Sequence, residues 1–165
     1  MLADAMPSDP PELVLFVGVQ ASGKTSFYRQ RFARTHVHVS KDLFPNNRNK
    51  ARRQGQLIEE AFQRGQSVVL DNTNPTRDDR ASALTLARGY GATVTGYMFP
   101  TSIAAALERN RQREGKARVP DVAIYATAAR LEYPTPDEGF DQLFAVRLTP
   151  EGDFEVTPWT PHEQR

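Results

Sequence analysis

Residues Gly18-Val19-Gln20-Ala21-Ser22-Gly23-Lys24-Thr25 satisfy every fixed position of the pattern G-x-x-x-x-G-K-[ST], and they follow directly on the apolar run 13–17. That combination restricts the chain to one kind of junction, a buried strand that ends in a glycine-rich turn and reopens as a helix. The two glycines let the backbone curl so that successive N–H groups converge, and the helix adds the positive end of its dipole. A concave anion site results. On this reading Gly18, Gln20, Ala21, Ser22, Gly23, Lys24, Thr25 and Ser26 wrap the phosphates of a nucleotide, with Lys24 at the β and γ phosphates and the Thr25 hydroxyl on Mg²⁺. Lys24 is expected to be partly solvent-facing when the site is empty. The alternative is a glycine turn that happens to carry Lys and Thr, and the strand-to-helix context speaks against it.

Further along, apolar spacing alternates between strand and helix. Strands are expected at 13–17, 36–40, 67–70, 93–99 and 143–148, the fourth closed by Pro100. Helices are expected at 26–34, 77–88, 102–114 and 121–131; another carries Leu57, Ile58, Ala61 and Phe62 on one face and ends near Gly65. Strands separated by helices of this length pair in parallel through right-handed crossovers, which predicts a three-layer α/β fold with a central parallel sheet and a helical lid. Ligands in such sheets gather at the carboxyl ends of the strands. A length of 165 residues fits one domain, here 12–150 with the lid at about 109–120, between a loose leader, 1–11, and a Pro-rich tail, 151–165.

Composition narrows the chemistry. With no cysteine there is no disulfide framework, thiolate zinc site or cysteine nucleophile. Lys plus Arg is 21 against 20 for Asp plus Glu, so any nucleic acid must be met by a local patch and not by the field of the whole molecule. No apolar run approaches the roughly 20 residues of a membrane span, and no export signal is apparent, which makes the cytoplasm the expected compartment.

Three groups of residues carry candidate roles besides the glycine loop. Asp71 ends the apolar strand 67–70, where a carboxylate lies beside the phosphate loop and holds or orients the metal; the polar run Asn72-Thr73-Asn74 follows it. Helix capping is the competing role for Asp71 and Asn74. Asp42 follows the second strand, where it could take the proton of an attacking hydroxyl or merely cap a short turn. Two basic clusters complete the set: Arg48, Lys50, Arg52 and Arg53 just after Asp42, and Arg109, Arg111, Arg113, Lys116 and Arg118 around a turn-prone segment suited to a mobile lid. Arg109 and Arg113, four apart, are expected to share a helix face and neutralise charge on the transferring phosphoryl group. Both clusters could instead be solvated basic faces. His36, His38 and His162 read as packing or surface groups, since no third ligand accompanies them.

Taken together, residues 18–25, His38-Val39-Ser40-Lys41-Asp42, Val69-Leu70-Asp71-Asn72-Thr73-Asn74-Pro75, Arg109-Asn110-Arg111-Gln112-Arg113, Arg118-Val119-Pro120-Asp121, Pro134-Thr135-Pro136 and Glu138-Gly139-Phe140 resemble the kinase domain of polynucleotide 5′-hydroxyl kinases, most closely the kinase half of the bifunctional polynucleotide kinase 3′-phosphatases. The resemblance implies ATP as donor, Asp42 as general base, Arg109 and Arg113 on the ATP phosphates, and Asp71, Asn72, Thr73 and Asn74 lining the cleft, with Asp71 or Asn72 in the family's acidic position. No Asp-x-Asp phosphatase signature occurs, and residues 43–53 read differently from the better-known members. The expected activity is ATP- and Mg²⁺-dependent phosphoryl transfer to a hydroxyl, that of a 5′-OH nucleic acid end, with Asp42, Arg48, Arg52, Asn72, Thr73 and Asn74 on the acceptor side. The alternatives are a nucleoside or sugar kinase and a nucleotide-dependent ATPase or switch.

Overall fold

A computed structural model describes residues 9–160. Its elements run β1 (Glu12–Val17), α1 (Lys24–Arg31), β2 (His36–Val39), α2 (Lys50–Gln63), β3 (Ser67–Leu70), α3 (Arg77–Gly89), β4 (Thr93–Met98), α4 (Ile103–Arg111), α5 (Asp121–Arg130), β5 (Gln142–Leu148) and β6 (Phe154–Pro158), with single 3-10 turns at Lys41–Leu43, Gly115–Ala117 and Pro136–Glu138. The strands form one sheet in the order β2-β3-β1-β4-β5-β6; the first five are parallel and β6 is antiparallel to β5.

β1 explains the layering. Buried on both faces, it has no polar position from Leu13 to Val17, as a central parallel strand requires. Leu13, Leu15 and Val17 pack toward Ile58 and Phe62 of α2 and Leu84 of α3. Val14 and Phe16 point the other way, into an aromatic layer with Phe27 and Tyr28 of α1 and Phe99. Each such side chain contributes about 1.5–3 kcal/mol by leaving water. A third cluster, Val19 with Ala106, Leu107 and Ile124, seats α4 and α5 on the phosphate loop.

Four boundaries differ from the local sequence signals or are not given by them. α1 begins at Lys24 and stops at Arg31 instead of spanning the expected 26–34, because Gly23 in the left-handed region (φ 97°) reverses the chain before the lysine. α2 starts at Lys50, so most of the first basic cluster is helical. α4 ends at Arg111, three residues short of the expected end, so Arg113 lies beyond it and shares no helix face with Arg109. Part of the expected tail is β6, whose Phe154 and Val156 join the aromatic layer while the Trp159 indole N–H donates to the Pro134 carbonyl at 3.0 Å. Alternation over so few residues, between prolines, is a weak strand signal. Residues 1–8 of the leader and His162 lie outside the described residues.

One interior contact is ionic. Arg80 of α3 is fully buried and grips Glu138 with both Nε (2.8 Å) and Nη2 (3.1 Å), while its Nη1 donates to the carbonyls of Asn74 (2.9 Å) and Glu132 (3.0 Å). Removing one partner of a buried pair strands the other without water, so Glu138→Ala is expected to cost about 3–5 kcal/mol. Urea unfolding measures it, and a loss below about 1 kcal/mol, the scale of an exposed pair, would contradict this account of Arg80.

Candidate nucleotide site and acceptor edge

The phosphate loop owes its shape to its glycines. A Cβ on Gly18 would stand 3.0 Å from the Cβ of Phe99 and 3.1 Å from Ser22 Oγ, and Gly23 holds the left-handed conformation just before α1. The Gly18 N–H donates to the Thr73 carbonyl (3.0 Å), tying the loop to the end of β3. Contrary to expectation, Lys24 is buried: its ammonium folds back onto the carbonyls of Gly18 (3.0 Å) and Val19 (2.6 Å) and onto Ser22 Oγ (3.3 Å). Burial lowers its pKa to about 8, an effect opposed by the Asp71 and Asp42 carboxylates and reinforced by Arg113. The turn that carries Asp42 is tied to this end of the sheet through the Lys41 N–H, which donates to Asn72, the neighbour of Asp71, at 2.9 Å.

The polar run after β3 divides its work. Asp71 is buried and faces the loop, its Oδ2 accepting from Thr25 Oγ1 at 2.8 Å. Asn72 turns the other way: its Oδ1 accepts from the Lys41 N–H (2.9 Å) and its amide donates to Gln54 of α2 (2.8 Å). Thus Asp71 alone stands at the threonine. Asn74 takes φ 45° and is buried with its amide on the Phe16 carbonyl at 2.8 Å, so its side chain is not presented to an acceptor; the cap of α3 is Thr76.

Asp42 sits in the 3-10 turn after β2, with an exposed carboxylate that accepts no hydrogen bond among the described residues. The cap of that turn is Ser40, whose Oγ accepts from the Asp42 N–H at 3.3 Å. Capping therefore does not account for this aspartate. Beside it, Arg48 and Arg52 are exposed at the start of α2, where Asn49 is the cap and the first turn carries no acidic residue. Cations at the positive end of a helix dipole weaken that helix but favour a bound anion.

Across the loop, Arg109 is half-buried and donates to the Ala21 carbonyl (3.2 Å), whereas Arg113 donates to Ala117 (3.2 Å). Buried Asn110 pairs with both backbone groups of Val119, donating at 2.7 Å and accepting at 3.0 Å, and so closes the base of the lid. Arg111 forms an exposed pair with Glu108 (2.6 Å). Gln20 donates to Thr127 of α5 at 3.0 Å, joining the loop to the lid helix, and Ser26 is exposed at the start of α1.

His38 joins the site although sequence reasoning places it among packing groups. Its Nε2 lies 2.9 Å from Asp71 Oδ2 and its ring stacks on Tyr28, with centroids 4.0 Å apart. Nothing local in an alternating strand marks that contact, which depends on the register of β2 against β3.

Mg²⁺ takes oxygen ligands and keeps much of its shell as water and substrate phosphate, so it needs only one or two groups from a protein. The Thr25 hydroxyl and Asp71 carboxylate, already bonded to each other beside Lys24, form such a donor pair. No cluster of three or more His, Asp or Glu that could hold a metal occurs among the described residues.

A glycine loop between β1 and α1, a carboxylate at the end of the adjacent β3 and an arginine-bearing helical lid after β4 define a phosphate-loop kinase-like domain. Residues 13–134 match the family model described as AAA domain, and the chain belongs to that family. Over 154 residues it is 27% identical to the bifunctional polynucleotide phosphatase/kinase of Schizosaccharomyces pombe, an alignment that covers 91% of this chain and 37% of that protein. The chain therefore spans little more than a third of that relative. Among solved structures, a putative kinase from Chloroflexus aurantiacus superposes with a TM-score of 0.69 at 17% identity, covering 90% of this chain and 91% of the other. A gluconokinase from Sinorhizobium meliloti gives 0.58 at 20% identity, covering 84% and 82%. At these identities the structural likeness is one of fold. No helix among the described residues is long and apolar enough to cross a membrane.

Proposed function

We propose that the protein transfers the γ-phosphoryl group of ATP to the 5′-OH of a nucleic acid end. The observation that carries this reading is the turn of Asp42: its carboxylate is exposed and accepts no hydrogen bond among the described residues, Asn72 ties the turn beside Asp71 through the Lys41 N–H, and the basic start of α2 follows it. The relative from fission yeast, named as a polynucleotide kinase, supports the choice of acceptor.

In this mechanism Asp42 accepts the proton of the acceptor hydroxyl as its oxygen bonds to the γ-phosphorus, the bond from that phosphorus to the bridging oxygen breaks, and ADP departs with the electron pair. Lys24 leaves the Gly18 and Val19 carbonyls for the phosphates, and Arg109 can exchange its bond to Ala21 for the same charge. Arg113, beyond α4 on the lid, would exchange its bond to the Ala117 carbonyl for the same phosphates. Thr25 and Asp71 would hold Mg²⁺, which supplies charge neutralisation on the phosphate oxygens. Asn72 acts through the scaffold, keeping the Asp42 turn against β3 and α2.

The basic start of α2 separates acceptor classes, because only a polynucleotide brings flanking phosphates to Arg48 and Arg52. The KM of a single-stranded 5′-OH oligonucleotide is expected to rise with salt, and Arg48→Ala/Arg52→Ala should reduce the log–log slope by about 0.7 for each phosphate no longer gripped, while leaving the KM for ATP unchanged. Transfer assays with labelled ATP at three salt concentrations decide it. Equal slopes would remove the polynucleotide reading, label on a sugar or nucleoside in preference would favour a small-molecule kinase, and label only in free phosphate would favour an ATPase.

A further inference from the structure

The Asp71 carboxylate is held from two directions. Thr25 Oγ1 reaches Oδ2 from the phosphate loop at 2.8 Å, and His38 Nε2 reaches the same oxygen from β2 at 2.9 Å. An ionised carboxylate only accepts, so the imidazole donates its Nε2–H. The ring has little freedom to turn away: it stacks on Tyr28 with planes 15° apart, and the Tyr28 hydroxyl is itself anchored on the His36 carbonyl at 2.7 Å. Asp71 is fixed at its backbone too, its N–H donating to the Val39 carbonyl at 2.8 Å. With one carboxylate oxygen occupied by two donors, the orientation of the other is determined.

We infer that His38 is a positioning residue, which locks the Asp71 carboxylate in the orientation that receives the metal ion of a metal–nucleotide complex. The inference rests on the reading of Thr25 and Asp71 as the metal-holding pair and is independent of which acceptor is used. Without the imidazole, Asp71 keeps only the Thr25 bond and can rotate about its side-chain torsions, so the ion must order it at the moment of binding. Partners that orient ligating groups in this way typically govern about 10–100-fold in metal affinity. The packing role expected of His38 from sequence is also present, and the two functions are separable by substitution.

Three variants of the full chain separate them. His38→Phe keeps an aromatic ring for Tyr28 but has no donor, His38→Leu removes both, and His38→Gln loses the ring while its amide can still donate to Asp71. The readout is Mn²⁺ retained by the protein–ADP complex, followed by the electron paramagnetic resonance of free Mn²⁺, alongside ADP affinity in excess EDTA and thermal melting. His38→Phe and His38→Leu are expected to weaken Mn²⁺ retention by about tenfold or more with metal-free ADP affinity within about twofold of wild type, and His38→Gln is expected to recover most of the loss. Wild-type retention in the Phe and Leu variants overturns the inference. So does a Gln variant no better than Phe, or a parallel fall in metal-free ADP affinity, each of which marks a structural role. Should the wild-type complex hold no Mn²⁺, the metal-pair reading falls and this inference with it; should Mn²⁺ behave as expected while no oligonucleotide is phosphorylated, only the proposed acceptor fails.

Discussion

Lys24→Ala is expected to abolish phosphoryl transfer, by about 10²- to 10³-fold or more, in a protein that still folds. The ammonium is the one charge held inside the phosphate loop, and in its absence two loop carbonyls and the incoming phosphates lose their shared cation. Folding should tolerate the change for a reason visible in the pKa. Burial lowers Lys24 from 10.5 to about 8, so the stability tied to this group is fully present above about 10.5 and is lost as pH falls through about 8. At neutral pH the buried charge is a cost to the empty site, and alanine relieves it. Phosphates favour the charged form and raise the pKa again, so ATP binding near pH 9 should take up a proton and weaken relative to pH 7. Calorimetry in buffers of different ionisation heat reads that uptake, and the alanine variant should lack it. A folded Lys24→Ala protein with full activity would refute the site.

Asp42→Asn should lower kcat by about 10²-fold or more with little change in ATP affinity. Asparagine keeps the volume and removes the basic oxygen. The turn that carries it is capped by Ser40 and tied down by Asn72 through the Lys41 N–H, so the substitution disturbs no contact that shapes the backbone. Steady-state kinetics with ATP and a 5′-OH oligonucleotide, together with a melting curve, test both halves. Turnover at the wild-type rate would place the base elsewhere.

Those parts of the site that lie within one short stretch are legible in the amino-acid sequence. Residues 18–25 specify their own turn through glycine geometry and a helix dipole, and the apolar run preceding them can only be a buried strand. Asp42 and Asp71 are legible for a related reason: each follows a strand signal, alternating for β2 and apolar for β3, and strand ends in a parallel sheet face the cleft. The distinction between Asp71 and Asn72 is not. Adjacent residues leave a strand on opposite sides, and which one meets Thr25 depends on how β3 lies against β1. The lid shows the same division, since its arginines are evident as a cluster, yet only the structure shows that α4 stops at Arg111 and that the Asn110 side chain holds Val119, nine residues away.

By itself, then, the sequence determined the order of the first five strands and the helices between them, the phosphate loop and the identity of the charged groups around it, because each is encoded by local periodicity or by a contiguous motif. Only the tertiary structure decided which of those groups touch. His38 finds Asp71 across 33 residues, Asn72 finds Gln54 across 18 and Arg80 finds Glu138 across 58. It also decided that residues 154–158 form a strand, by offering them the open edge of β5. Such contacts arise from strand register and from the packing of helices against a sheet, where the partner's position is set by the whole core and no spacing along the chain records it.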